Sequence, residues 1–138
     1  MKPEDLNFDT IQAQELNQLA KDSASTFVQK DRLKTHQLRN VFSAIEKMRT
    51  LYKQAQRERD EAKKAKKMED LKMQLIFLKP KIAYAAGRQR SVRYNFFPLV
   101  EAAVDAVDNA KDEDGAYQKF FALMESVVGY HKFFEAGK

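Results

Sequence analysis

Apolar side chains recur at steps of three and four residues between positions 38 and 52. The members of this series are Leu38, Val41, Phe42, Ile45, Met48 and Tyr52. This spacing places them on one stripe of an α-helix. The segment is therefore the clearest amphipathic helix of the chain, and it indicates a helical fold.

The N-terminal segment predicts a first helix and then an interruption. Ile11, Leu16 and Leu19 have helical spacing, and Asp9 or Thr10 can supply the oxygen that caps the first free amides. Short hydroxyl side chains compete for backbone hydrogen bonds and favour turns over helix interiors. We therefore expect a break near 22–34, where three of them cluster: Ser23, Ser25 and Thr26.

The middle of the chain predicts a charged segment followed by a third helix. Residues 57–67 are almost entirely charged, and Asp60 and Lys64 have the i,i+4 spacing of an exposed helix. This segment is expected to be a solvated helix extension or a linker. The next apolar stripe includes Leu71, Leu75, Leu78 and Ile82. Pro80 should kink or segment this helix because it lacks an amide donor, and Gly87 can end it.

Two more helices are predicted in the C-terminal third. The fourth follows the apolar series from Phe96 to Val107, and a turn at 112–115 supplies an N-cap for the last helix. That last helix carries Tyr117, Phe120, Phe121, Met124, Val127, Val128 and Phe134. With four Gly and three Pro in 138 residues, the chain is expected to be all-α: a small bundle of about five helices in a single domain, 1–138.

Several classes of chemistry are excluded or disfavoured. The chain has no cysteine, which rules out disulfides and thiolate chemistry. His36 and His131 lack the neighbours of a zinc motif, and Gly-rich phosphate loops and nucleophile elbows are absent. We expect a non-enzyme without metal or cofactor. Since the chain has neither a leader-like start nor an apolar run long enough for a membrane, a cytoplasmic location is expected.

Charge is distributed unevenly along the chain. Residues 71–98 contain six Lys or Arg and no acidic residue, whereas residues 99–138 contain eight acidic and four basic residues. Such polarity suggests a polyanion on one side of the molecule and a protein neighbour on the other.

Within the basic block, Lys81, Tyr84 and Arg88 follow at i, i+3 and i+7 and should project from one side, with Lys79 at the edge. Lys and Arg neutralise phosphates, and a Tyr ring can stack on a base. Packing of Tyr84 in the core, with the cations serving only solubility, is the equally open alternative. A second cationic surface is expected on the polar face of the 38–52 helix, around Gln37, Arg39, Lys47 and Lys53.

Three strings resemble the small subunit of type III-A CRISPR effector complexes. They are THQLRN at 35–40, LKPKIAYAAGR at 78–88 and MESVVGYHKFF at 124–134. They occur in the family's order and bracket most of the chain. The third string departs from the family pattern at Ser126 and Gly129, where Ala is more frequent, and 135–137 departs from the usual Gly-Gly pair.

The resemblance implies a helical antiviral subunit that stacks in several copies along a guide RNA and target RNA duplex. It would contact the repeating backbone subunit and the large subunit, which carry the nuclease activities, and it could dimerise when free. Residue by residue, the candidates for RNA contact are Gln37, Arg39, Lys53, Lys79, Lys81, Tyr84, Arg88 and Arg93. The alternative function is a helical adaptor whose basic face binds an acidic protein partner without touching RNA.

Overall fold

The computed structural model describes residues 1–137, and Lys138 lies outside the described residues. A 3₁₀ turn at Pro3–Asp5 precedes six helices. These are α1 (Ala13–Gln29), α2 (Thr35–Arg57), α3 (Glu61–Arg88), the single turn α4 (Arg90–Arg93), α5 (Phe96–Asp108) and α6 (Glu113–Ala136). Residues 1–137 contain no strand, so the all-α prediction with five long helices is confirmed.

The helices surround one continuous apolar core. α1 packs against α6, α2 packs against α3 and α6, and α5 packs against both α3 and α6. Aromatic rings of α6 fill the centre, where Tyr117 and Phe121 stack beside Tyr52 of α2. The stripe predicted from Leu38 to Tyr52 lies in α2, and five of its six members are buried, with Phe42 packed at the margin.

The first helix differs from its prediction at both ends. It begins at Ala13, after the N-cap residue Gln12, and it continues through the expected break as far as Gln29. Burial of Ala24, Phe27 and Val28 against the core explains the continuation, because tertiary packing outweighs the weak helix propensity of neighbouring hydroxyl residues. The true interruption is confined to 30–34.

The 30–34 connection is held from two sides. Arg32 has a left-handed backbone conformation with φ 58°. The buried His131 of α6 has its Nε2 atom 2.7 Å from the carbonyl oxygen of Leu33. The side-chain amide of Asn95 donates to both carboxylate oxygens of Asp31, at 3.0 and 2.8 Å. These contacts fix the start of α2 relative to α5 and α6.

Residues 57–67 consist of the last residue of α2, a turn at 58–60 and the beginning of α3. Asp60 is the N-cap of α3, since its Oδ1 accepts from the amides of Ala62 and Lys63 at 2.9 and 3.2 Å. α3 is not segmented at Pro80 and ends at Arg88, one residue beyond Gly87. The Pro80 ring lies on the exposed side of α3, where it does not interfere with core packing.

Two aspartates shape the entrance to α6. Asp112, which lies in the turn predicted at 112–115, is its N-cap, and its Oδ1 accepts from the amide of Gly115 at 3.1 Å. The helix already begins at Glu113, so the predicted turn extends too far. Asp9 does not cap α1. Its two carboxylate oxygens instead accept from the amides of Lys111 and Asp112, at 2.9 and 3.0 Å, which ties the N-terminal segment to the turn before α6.

Candidate nucleic-acid interface

A groove runs between α2 and α3, which lie side by side because only the 58–60 turn separates them. It is lined from α2 by Asn40, Ser43, Ala44, Lys47 and Met48, and from α3 by Gln74, Phe77, Leu78 and Lys81. None of these residues is acidic. The two cations, one from each helix, line the groove together with amides, a hydroxyl and one aromatic ring, and this set of groups can bind an RNA backbone.

Tyr84 and Arg88 lie beyond this groove, on the same side of α3 as Phe77 and Lys81. The Tyr84 side chain is 68% exposed, so its packing in the core, the open alternative from the sequence, does not occur. Arg88 Nη1 donates to the Tyr84 hydroxyl at 3.2 Å, and its guanidinium lies 5.7 Å from the centre of the ring. The predicted grouping of Lys81, Tyr84 and Arg88 on one side of a helix is present.

Lys79 points away from this group. Its Nζ atom forms a 2.7 Å ion pair with Asp105 of α5, and the hydrogen bond that Lys79 donates to this carboxylate raises the pKa of Lys79. Lys72 forms a similar pair with Asp108 at 2.9 Å. Part of the basic block 71–98 is thus neutralised by the acidic C-terminal block inside the molecule. Lys79 is consequently a poor candidate for RNA contact.

Gln37 and Arg93 act mainly within the fold. Gln37 Oε1 accepts from the amide of Lys34 and from the Ser91 hydroxyl, both at 2.9 Å, so it connects the start of α2 to α4. Arg93 donates from Nε to the carbonyl of Ala86 at 3.1 Å and from Nη2 to the next carbonyl at 3.2 Å. It thereby caps the C-terminal end of α3.

Arg39 and Lys53 are exposed on other faces of α2. Arg39 lies about 100° around the helix from the groove residue Asn40 and has no ion-pair or hydrogen-bond partner within residues 1–137. Lys53 lines a separate groove between α2 and α6, beside an ion pair between Arg49 and Glu125. The eight candidates therefore do not form one surface, and three of them, on α3, lie together.

The sequence prediction missed two components of the groove. Lys47 lies on the predicted cationic face of α2 but is not among the eight candidates, and Phe77, which is 63% exposed, is not predicted to belong to any site. A signal for Phe77 exists in the sequence. Met73, Phe77, Pro80 and Tyr84 follow at i, i+4, i+7 and i+11, a second apolar stripe on a helix whose first stripe already faces the core.

A groove of the opposite sign lies between the N-terminal segment and α5. Its lining includes Glu4, Asp9, Glu101 and Asp105, with Lys111 as its one cation. In the described part of the chain, no group of three or more His, Asp or Glu is arranged to hold a metal ion. Acidic and basic side chains therefore lie in separate grooves of the molecule. The ion pairs of α3 with α5 neutralise part of this charge separation.

No helix within residues 1–137 combines the length and the apolar character that crossing a membrane requires.

Comparison with known proteins gives one finding. No curated protein and no solved structure matches the chain significantly. The family model described as Csm2 Type III-A matches residues 10–137, which confirms the resemblance carried by the three strings. The chain therefore belongs to the Csm2 Type III-A family and is a small subunit of the type III-A Csm CRISPR complex.

Proposed function

We propose that this chain is a non-catalytic RNA-binding subunit, present in several copies that stack along the guide RNA and target RNA duplex. It would support that duplex through sequence-independent backbone contacts, next to the repeating backbone subunit and the large subunit, during antiviral defence in the cytoplasm. Membership of the Csm2 Type III-A family supports the assignment to this complex. The α2/α3 groove supplies the surface that would meet RNA.

The observation that supports RNA binding most directly is the chemistry of this groove. Lys47 on one wall and Lys81 on the other have no acidic neighbour among the lining residues. Neither lysine forms an ion pair within residues 1–137, so their charge is available to phosphates. Arg88 extends the cationic track beyond the groove. Cations distributed along an acid-free groove can follow a phosphate backbone.

Sequence-independent recognition follows from the types of side chain present. Lysine ammonium groups bind phosphates of any sequence, and the short polar side chains of Asn40 and Ser43 can bind phosphate or 2′-hydroxyl oxygens. Base pairing with the guide would then choose the target, and this subunit would contribute support.

Stacking of several copies requires a head-to-tail contact, because an isologous contact closes at two subunits. The two grooves of opposite sign lie on different helix pairs, α2/α3 and the N-terminal segment with α5. Since the basic groove is the proposed RNA surface, the head-to-tail contact would use other faces of the chain, and the acidic groove remains available to it.

The test is co-purification with a guide-loaded backbone subunit, followed by crosslinking to target RNA that contains 4-thiouridine. Crosslinked peptides are expected from α2 between 40 and 47 and from α3 between 74 and 88. Incorporation into the complex with no RNA crosslink, or with crosslinks confined to α1 and α5, would support the adaptor function instead.

A further inference from the structure

α3 carries two apolar stripes, and the core uses one of them. Leu71, Leu75, Leu78 and Ile82 are buried. On the other side of the helix, Met73, Phe77 and Tyr84 are 58%, 63% and 68% exposed. Exposure of three large, mostly apolar side chains to water on one side of a helix is unfavourable in free energy and adds nothing to the core. Such patches commonly mark a binding surface. We name Met73, Phe77 and Tyr84 the α3 ridge.

Cations alternate with the rings of the α3 ridge. Lys81 lies four residues after Phe77 and three before Tyr84, so it occupies the same side of the helix between the two rings. Arg88 follows Tyr84 and contacts it, and Lys47 contributes a further cation from the α2 wall of the groove. A typical protein-binding patch has a core depleted in charge with a polar rim. Rings interleaved with cations are instead typical of single-stranded nucleic-acid sites.

We infer that the α3 ridge binds unpaired nucleotides of RNA, with bases stacking on Phe77 and Tyr84 and phosphates bound by Lys47, Lys81 and Arg88. This inference rests on the proposed function and deepens it. In a closed duplex the base faces are covered by neighbouring bases, so the duplex offers the protein only backbone and groove edges. An exposed ring gains a stacking partner only where a base is unpaired.

The spacing of the two rings fits a single strand. Phe77 and Tyr84 are seven residues apart, which is about 10.5 Å along a helix axis. This length corresponds to roughly three base steps of a stacked strand at about 3.4 Å each. The guanidinium of Arg88, 5.7 Å from the centre of the Tyr84 ring, restricts the ring before a base arrives, which lowers the ordering cost of binding. A segment of about four nucleotides would contact both rings.

The direct experiment is fluorescence anisotropy of the full chain at low salt with three ligands of equal length. These are an unstructured single-stranded RNA, the same strand with abasic positions throughout, and a blunt RNA duplex. The single strand is expected to bind at least about tenfold more tightly than the abasic strand, since even weak stacking contributes about fivefold for each of the two bases. The intact duplex is expected to bind more weakly than the single strand.

A matched pair of variants locates the effect. Phe77→Leu with Tyr84→Leu removes both rings of the ridge and should abolish the preference for bases over abasic RNA. Tyr94→Leu with Phe133→Leu removes two other exposed rings, 57% and 67% exposed, on α4's end and α6. This control should keep the preference. All four side chains are exposed, so circular dichroism melts should confirm folded protein in each case.

The outcomes separate the inference from the function on which it rests. Salt-dependent RNA binding that is equal for intact, abasic and duplex ligands would overturn the α3 ridge site and leave the proposed function standing. Absence of RNA binding to any ligand would overturn both. If the ridge variant binds RNA normally but fails to enter the complex with the purified backbone subunit, the ridge is a protein-docking surface and the inference is wrong.

Discussion

Lys79 of α3 forms a 2.7 Å ion pair with Asp105 of α5 on the side of the helix away from Lys81. The pair joins the basic block 71–98 to the acidic C-terminal block 99–138. Two lysines only two residues apart therefore have different roles: Lys79 contributes to the packing of α3 on α5, and Lys81 faces the groove.

Replacement of Lys79 by Gln should affect stability and not RNA. Both side chains of the pair are partly exposed, so the loss should be below about 1 kcal/mol, as is usual for solvated ion pairs. Urea denaturation measures this value. RNA affinity should change far less than in Lys81→Gln, which carries the same loss of charge. An equal loss of RNA affinity in the two variants would contradict the division.

Asp9 should make the fold sensitive to acid. Its carboxylate accepts from the backbone amides of Lys111 and Asp112, and these hydrogen bonds lower the pKa of Asp9 below its ordinary value of 3.8. A lowered pKa means that the stabilisation exists above the unfolded pKa and is lost as pH falls through the folded pKa. Asp9→Ala should therefore lower Tm at neutral pH, and the gap to the wild type should close in strong acid. A gap independent of pH would contradict this account.

The hydroxyl group of Tyr117 is buried and makes no hydrogen bond within residues 1–137. The ring is buried in the core, and burial raises the pKa of Tyr117. Because an unpaired buried polar group costs free energy, Tyr117→Phe should raise the free energy of unfolding by about 1 kcal/mol.

Tyr52→Phe is the matched control for Tyr117. The Tyr52 hydroxyl lies 3.4 Å from the Asp114 carbonyl and accepts from the Gln118 side chain at 3.2 Å. Its removal should lower the free energy of unfolding by about 0.5–1.5 kcal/mol. Urea titrations of both variants should shift in opposite directions. Destabilisation by Tyr117→Phe comparable to that of Tyr52→Phe would show that the Tyr117 hydroxyl is satisfied.

Arg32 is a position where glycine should stabilise the protein. Its φ of 58° places a side chain in the left-handed region, which costs a non-glycine residue roughly 1 kcal/mol. Arg32→Gly should raise the free energy of unfolding by up to about 1 kcal/mol. Arg39→Gly is the matched control, since it makes the same substitution inside helix α2. It should lower the free energy of unfolding by about 1 kcal/mol.

The sequence predicted the helices well where periodicity is strong. The stripe from Leu38 to Tyr52 and the series from Phe96 to Val107 both lie in helices as expected. The break at 22–34 was too wide because local propensity cannot register that Phe27 will be buried by distant residues. Asp9 was misassigned as a cap for the same reason, since its partners are about a hundred residues away.

The candidate site was predictable where it depended on one helix. Spacing alone placed Lys81, Tyr84 and Arg88 together, and the same reasoning applied to Lys79 would have placed it on nearly the opposite side, two residues away. The placement of Lys47 and Lys81 in one groove required knowledge of how α2 packs on α3. So did the structural roles of Gln37 and Arg93, whose partners lie on other elements.

The proposed function requires that the acid-free α2/α3 groove bind RNA phosphates. The most direct measurement is the slope of log affinity against log salt for a single-stranded RNA, in the wild type and in Lys47→Gln with Lys81→Gln. Loss of two phosphate contacts should reduce the magnitude of the slope by about 1.4. Lys21→Gln with Lys132→Gln, which removes the same charge from exposed positions of α1 and α6, should leave it nearly unchanged. Equal slopes for the two double variants would contradict the claim.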